Sequence, residues 1–437
     1  MLKLALISSL LLNMGLYASD VKYDKTQAFI KLKEGMELPS SFHIKSSKHL
    51  FGPNYLIQTN NVDDLVQDLK NHSSIKRIEK NYYAEKETLP KATQLKTDTV
   101  FFNFSTFNDP KVNKVWSFLD DTSNGISINK SYLAPLSLQK EDVIVAVVDT
   151  GVDYKHEDLK DVMWKNENEI AGNNIDDDNN GYIDDIFGID PLSDDTDPMA
   201  SHAHGTHVAG TIAAKQNNNI GIAGIATNAK IMAIRTVPDS SDETDADVVE
   251  SFLYAAKHGA KILNCSFGKK HNEGGMIVNE TIDFIGQEYG ALVVAAAGND
   301  YKKNIDVNLV YPASFDSDHL MVVASTTKRG KLSSFSNVGV KNVDLAAPGS
   351  SIYSTVPGNS YSSMSGTSMA SPTAAGVAAE VLSHFPELTG ESLKEILMNS
   401  VTKVRRFDRY MASGGRVDLY NALRYTLENY ADLISRQ

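Results

Sequence analysis

Three short segments carry residues whose types and spacing could make a nucleophile. Asp149 stands in VVDTGVD directly after an apolar run, His204 in SHAHGTHVAGTIAA, and Ser368 in SGTSMASPTAAGVAAEVL. A serine hydroxyl is a poor nucleophile until a base takes its proton, and an imidazole base needs a carboxylate to hold its tautomer and stabilise the imidazolium. Asp149, His204 and Ser368 supply those three roles in one chain. Each also has a plainer reading. An aspartate after a strand is a common turn former, and a serine ahead of an alanine-rich helix with Pro372 in its opening turn is a common N-cap. His202, His204 and His207 could instead ligate a metal, although the chain has a single cysteine and no HExxH pattern.

The three residues can meet only if the elements that carry them converge. VIVAVV (143–148), KIMAIRTV (230–237), KILNCS (261–266), ALVVAAA (291–297) and HLMVVAS (319–325) are short apolar runs bounded by Gly, Asn or Asp. That is the pattern of parallel strands buried on both faces. Between them, DADVVESFLYAAKHGA places Val248, Val249, Phe252, Leu253 and Ala256 on one helical face, and NETIDFIGQEYG repeats the idea with Ile282 and Ile285. Strand alternating with helix predicts an α/β fold with a doubly wound, mostly parallel sheet, in which functional groups gather at the carboxyl ends of the strands. Asp149 follows such an end, and Gly205 beside His204 permits close backbone approach.

Composition narrows the function classes. With 55 acidic against 42 basic side chains the net charge is -13, the wrong sign for a protein that tracks nucleic-acid phosphates. Eleven of the acidic residues lie between Asn166 and Met199, a stretch without Lys or Arg, and such a cluster requires water or a cation. Within it, DDDNNGYID places side-chain oxygens at Asp176, Asp178, Asn180 and Asp184 with Gly181 at the sharp turn, the spacing of an EF-hand-like calcium loop. Phe187 stands where the loop's twelfth-position Glu belongs, which leaves Asp185 or Asp190 to substitute. The lone Cys265 excludes an intramolecular disulfide and a cysteine zinc cage.

Residues 1–18 carry Lys3, an apolar run from Leu4 to Leu12 and the small Ala18, followed by the small Ser19, the pattern of a secretory signal peptide cleaved after Ala18. No later stretch reaches transmembrane length, so no membrane anchor is expected in the mature chain. Periplasm, cell surface and medium all suit export of this kind. Residues 19–87 alternate strand-like and helix-like pieces and predict a small α+β domain, residues 88–106 lack periodicity and suit a linker or processing region, and residues 107–437 hold the long α/β pattern.

In the order Asp, His, Ser, the motifs DTGVD, HGTHVAGT and GTSMASP resemble those of the subtilisin-like serine proteases. The resemblance runs from Ser19 to about Tyr425 and implies further residues. Asn299 in AAAGND matches the family's oxyanion-hole asparagine, acting with the Ser368 backbone N–H. LNCSFGKK matches the edge that receives an extended polypeptide substrate, with Ser266 and Gly268 as backbone partners, although Lys269 replaces the usual second glycine. Val310, ahead of YPA, would lie near the base of the primary specificity pocket and favour small or medium apolar side chains. By the same resemblance, residues 19–87 are an inhibitory propeptide acting on its own chain, and maturation falls between Thr88 and Phe107. Asp158 and Asn218 match a second calcium site. Calcium would be structural, and no organic cofactor is implied. Two rivals remain open: a catalytically silent, calcium-dependent binding or adhesive protein on the same scaffold, and an esterase using the same three residues.

Overall fold

The computed structural model describes residues 22–84, 106–119, 124–133, 140–200, 202–238, 243–269 and 275–430. The expected signal peptide and nearly all of the expected linker lie outside the described residues. Two compact units emerge, one built mainly on residues 22–84 and one that takes in most of the chain beyond residue 106.

In the first unit, strands β1 (Tyr23–Leu32), β2 (Ser46–Phe51), β3 (Asn54–Gln58) and β4 (Ile75–Tyr82) form a four-stranded antiparallel sheet in the order β2-β3-β1-β4. Helix α1 (Val62–Leu69) covers one face. Asn61 caps it, its side chain accepting the Asp63 N–H at 2.9 Å. Ala28, Ile30 and Leu32 alternate inward along β1 and meet Val62, Leu65 and Leu69, so one small apolar core closes this α+β unit.

The larger unit is organised by a nine-stranded sheet in the order β14-β15-β11-β10-β9-β8-β5-β7-β6. Third from one edge is β5 (Val143–Asp149), flanked in parallel by β7 (Ala229–Arg235) and β8 (Ile262–Cys265), with β9 (Leu292–Ala296), β10 (Leu320–Thr326) and β11 (Leu345–Pro348) continuing the parallel run. The short β6 (Gly188–Ile189), β14 (Thr402–Lys403) and β15 (Gly415–Arg416) finish the edges. Because β7 lies on one side of β5 and β8 on the other, the winding reverses at β5, and a crevice opens beyond the carboxyl ends of these strands. Helices α2 (Ile128–Leu133), α3 (Ala203–Ala213), α4 (Asp245–Lys257), α5 (Met276–Tyr289), α6 (Thr367–His384), α7 (Gly390–Asn399) and α8 (Leu419–Asn429) complete the layers. The faces expected of α4 and α5 are buried, including Val249, Phe252, Ile282 and Ile285.

A hairpin of β12 (Ile352–Val356) and β13 (Ser360–Met364) packs on α3. All eighteen residues of α6 are buried, and its small side chains permit this: a Cβ on Gly376 would come within 2.9 Å of Ile225 Cβ. Pro372 is the sixth residue of α6 and so lies beyond the opening turn expected from the sequence, because the helix already begins at Thr367.

Far along α6, Glu380 is buried and accepts Lys140 Nζ, the Thr227 N–H at 2.9 Å and the Thr227 hydroxyl at 2.8 Å, with His384 Nε2 at 3.5 Å. Burial alone would raise the carboxyl pKa, but His384, Lys140 and the Thr227 amide outweigh it and hold the group at about 2. A depressed folded-state value contributes stability above the unfolded pKa of about 4.5 and loses it as pH falls towards 2. Glu380→Gln is therefore expected to cost roughly 3 kcal/mol at neutral pH, since it strips a buried ion pair of one charge. Urea titrations at several pH values should show the native and variant chains converging in acid.

Candidate active site

Asp149 is the last residue of β5, and its Oδ1 accepts the Thr150 N–H at 2.8 Å and His204 Nδ1 at 2.7 Å. The donor to a carboxylate must be N–H, so this bond fixes the proton on Nδ1 and leaves Nε2 as the acceptor of a neutral ring. His204 is wholly buried, and among the described residues its Nε2 has no hydrogen-bond partner. Close packing brings the two residues together. A Cβ on Gly205 would lie 2.1 Å from the Gly151 carbonyl oxygen, and one on Gly151, at φ +82°, would lie 2.6 Å from that of Pro198. Only glycine fits at both places.

The three histidines of this segment face separate partners. His202 caps α3, accepting the His204 N–H at 3.2 Å. Buried His207 bonds through Nε2 to the Ile352 carbonyl at 2.9 Å, and burial pushes its pKa down to about 3. They make no metal group among the described residues.

Ser368 is the second residue of α6, so its N–H belongs to the first turn, where amides have no intrahelical acceptor. Its hydroxyl donates to the Ser266 carbonyl at 3.2 Å. The serine cap expected from the sequence is not formed, because Gly366 occupies the N-cap position. Asn299 lies against the same helix start: its Oδ1 accepts the Thr367 N–H at 2.9 Å and the Thr367 hydroxyl at 3.1 Å. That hydroxyl also accepts the Gly298 N–H at 3.1 Å. With Oδ1 committed to a backbone donor, the Asn299 amide turns Nδ2 the other way as a donor. Thr367 is a residue that reading the sequence missed, although it stands inside the GTS motif.

Beyond β8, Lys269 exchanges both backbone hydrogen bonds with Tyr311 at 2.7 Å. Val310 is buried beside this bridge, its Cγ1 3.5 Å from where a Gly268 Cβ would stand, so Gly268 and Val310 are neighbours. Of the three residues expected at the substrate edge, Ser266 touches Ser368 directly, its hydroxyl donating to the Ser368 carbonyl at 3.2 Å.

The acidic insert folds differently from its EF-hand-like spacing. Carboxylate oxygens of Glu169, Asp178 and Asp185 lie within 4.8 Å of one another. Of the three aspartates expected, only Asp178 joins this group. Asp176 accepts the Asn180 and Gly181 N–H groups, while Asp184 accepts those of Gly172, Asn173 and Asn174. Asn180 sits beside the group, its Nδ2 donating to Asp178 and Asp185. Asp190 instead pairs with Arg235 at 2.5 Å. Tyr254 donates to Asp185 at 2.5 Å, and burial with the nearby carboxylates drives its phenol pKa far up.

At the second expected calcium site, Asn218 Nδ2 donates to Asp158 Oδ1 at 2.9 Å, while Asp158 Oδ2 accepts the Ile222 N–H at 3.0 Å and the Tyr361 hydroxyl at 3.3 Å. Asn218 Oδ1 is taken by the Ile220 N–H at 2.7 Å. As placed, these two side chains bond each other and neighbouring donors.

A doubly wound sheet with an Asp–His pair and a helix-start serine at its switch point defines a class of serine hydrolase. The model of the subtilase family matches residues 140–414. The subtilisin-like protease 1 of Plasmodium berghei is 31% identical over 436 residues, covering 94% of this chain and 69% of that protein. The halolysin-like extracellular serine protease Nep of Natrialba magadii is 37% identical over 281 residues, 64% of this chain and 47% of that protein. Against other Plasmodium proteins named subtilisin-like protease 1, the chain spans about half of the relative's length. The crystal structure of fervidolysin from Fervidobacterium pennivorans superposes with a TM-score of 0.68 at 24% identity over 93% of this chain and 62% of that one, a likeness of fold. The chain belongs to the subtilase family of serine peptidases.

Thr367→Val removes the hydroxyl that ties Asn299 to Gly298 without changing side-chain size. It is expected to cost about 1–3 kcal/mol in a urea titration, the range for stranded buried polar groups, while Thr367→Ser stays near native.

Proposed function

We propose that this chain is an exported serine endopeptidase, made as a precursor that its own N-terminal unit inhibits. The observation that carries the reading is the buried His204 Nδ1–Asp149 Oδ1 bond with Nε2 left as an unpartnered acceptor. In this reading the Ser368 hydroxyl turns from the Ser266 carbonyl to His204 Nε2 and attacks the scissile carbonyl as Nε2 takes its proton. Asp149 holds the imidazolium, and the tetrahedral oxyanion is met by Asn299 Nδ2 and the Ser368 N–H. His204 then returns the proton to the leaving amine, and water, deprotonated by the same nitrogen, releases the acyl group from Ser368.

Polypeptide substrates fit a backbone edge made by Ser266 and Gly268, with buried Val310 shortening the pocket. In an extended segment, backbone groups alternate sides. Lys269 faces Tyr311, so Ser266 and Gly268 would turn their backbone groups to the opposite side, where a substrate strand could add. Export is supported by residues 1–18 and by the Natrialba magadii relative, named as extracellular. No helix among the described residues is long and apolar enough to cross a membrane. Residues 19–87 take the inhibitory role, residues 88–106 hold the maturation site, and residues 107–437 form the catalytic domain.

Calcium is assigned to Glu169, Asp178 and Asp185, whose oxygen-only donors and mutual spacing suit a hard cation. When bound there, calcium would neutralise a cluster that costs stability by self-repulsion. Asp176, Asn180 and Asp184 would shape the loop around it.

Intact mass of the purified precursor, followed over time with calcium, tests the endopeptidase. The native chain should shed a fragment ending between Thr88 and Phe107, while Ser368→Ala stays whole. Processing of both chains, or of neither, counts against self-cleavage. Separately, calcium at about a hundredfold excess over its Kd should add roughly 3 kcal/mol to stability, removable by chelator. Asp185→Asn should lose most of that increment in paired denaturation curves.

A further inference from the structure

Pro372 has no N–H, so the Ser368 carbonyl lacks the donor that an α-helix places four residues on. A buried carbonyl left in that state costs as much as a lost hydrogen bond. The Ser266 hydroxyl fills the gap, donating to the Ser368 carbonyl at 3.2 Å. Its own oxygen accepts Asn264 Nδ2 at 3.0 Å, and Asn264 Oδ1 accepts the Ser371 hydroxyl at 2.7 Å. Ser371 also reaches the Val294 carbonyl of β9 at 3.0 Å. All four side chains are at most 4% exposed. The single Ser371 proton is shared between Asn264 Oδ1 and the Val294 carbonyl, while the Asn264 and Ser266 donors run in one direction to the backbone of Ser368.

We infer that the Ser266 side chain is a positioning residue for Ser368, standing in for the helical amide that Pro372 removes. This rests on the hydrolase reading above and adds to it. The backbone of Ser266 is assigned to substrate, whereas its hydroxyl acts on the enzyme, through the Ser368 carbonyl. The proline allows the first turn of α6 to be held from the side by a strand end, and Asn264 keeps the hydroxyl aimed.

The test is a double-mutant cycle in the full-length chain: native, Ser266→Ala, Pro372→Ala and both together. Pro372→Ala restores the backbone N–H at that position, so the helix can satisfy the Ser368 carbonyl without Ser266. Fluorophosphonate labelling of Ser368 should slow about tenfold in Ser266→Ala, and the same substitution should cost less than about threefold in the Pro372→Ala background. A loss of packing alone would slow both backgrounds equally, and that result would overturn the inference, as would an unchanged rate in Ser266→Ala. Urea denaturation of the same four chains reads the hydrogen bond with no reaction. Coupling there, with neither labelling nor self-processing of the native chain, would refute the hydrolase reading and leave the role of Ser266 in holding the helix start. Absence of coupling there overturns the role itself.

Discussion

The larger unit depends on keeping an ionisable pair out of water at the end of an interior strand. Asp149 is 1% exposed and His204 is wholly buried, an expensive place for a carboxylate unless polar partners are in position before water leaves. The Thr150 amide and His204 Nδ1 meet Oδ1, and helix α3 must come very close to make the second contact. Hence the glycines at 151 and 205, whose missing side chains set the distance between the β5 turn and α3. The hairpin β12–β13 then fastens α3 from outside: Ser354 and Thr355 hydroxyls bond the His207 and Thr206 carbonyls at 2.8 and 2.7 Å. A Cβ on Gly210 would meet Thr355 Oγ1 at 2.1 Å, so this contact too is made by leaving atoms out.

The start of α6 faces the same problem with backbone rather than side chain. A helix buried along its whole length must satisfy its terminal amides inside the protein. Asn299 takes the Thr367 amide through Oδ1, while the Thr367 hydroxyl joins Asn299 to the Gly298 backbone. Polar groups at strand ends thus serve as caps for the helix. Since β8 and β9 end beside one another, Ser266 and Asn299 are carried to the same helix by the sheet's own register.

Much of this was legible in the sequence because its causes are local. The apolar runs expected at 143–148, 230–237, 261–266, 291–297 and 319–325 correspond to β5, β7, β8, β9 and β10 within a residue or two. Strand β2 gave no such signal, for its first four residues are exposed and polar. The hairpin β12–β13 was equally silent, since between the core residues Ile352 and Met364 it is made largely of Tyr, Ser and Thr, two of which bond α3. At the site, DTGVD, HGTHVAGT and GTSMASP mark their residues by local motif. The chain Ser371–Asn264–Ser266 joins two segments more than a hundred residues apart and becomes visible only when they meet.

The acidic insert shows the limit of spacing as a guide. An EF-hand loop aims its ligands because helices grip both ends, so that positions one to twelve close on a common centre. Residues 164–187 contain no helix. The loop instead turns on itself through Asp176 and Asp184, whose carboxylates are spent on nearby backbone amides. Those contacts bring Glu169, outside the spaced motif on its amino-terminal side, back to accept the Asp177 and Asp184 N–H groups at 2.8 and 2.9 Å. The residues at motif positions build the turn, and Glu169 and Asp185, which do not occupy them, supply two of the three converging carboxylates. Ligand spacing carries over from one loop to another only when the elements that close the loop carry over with it.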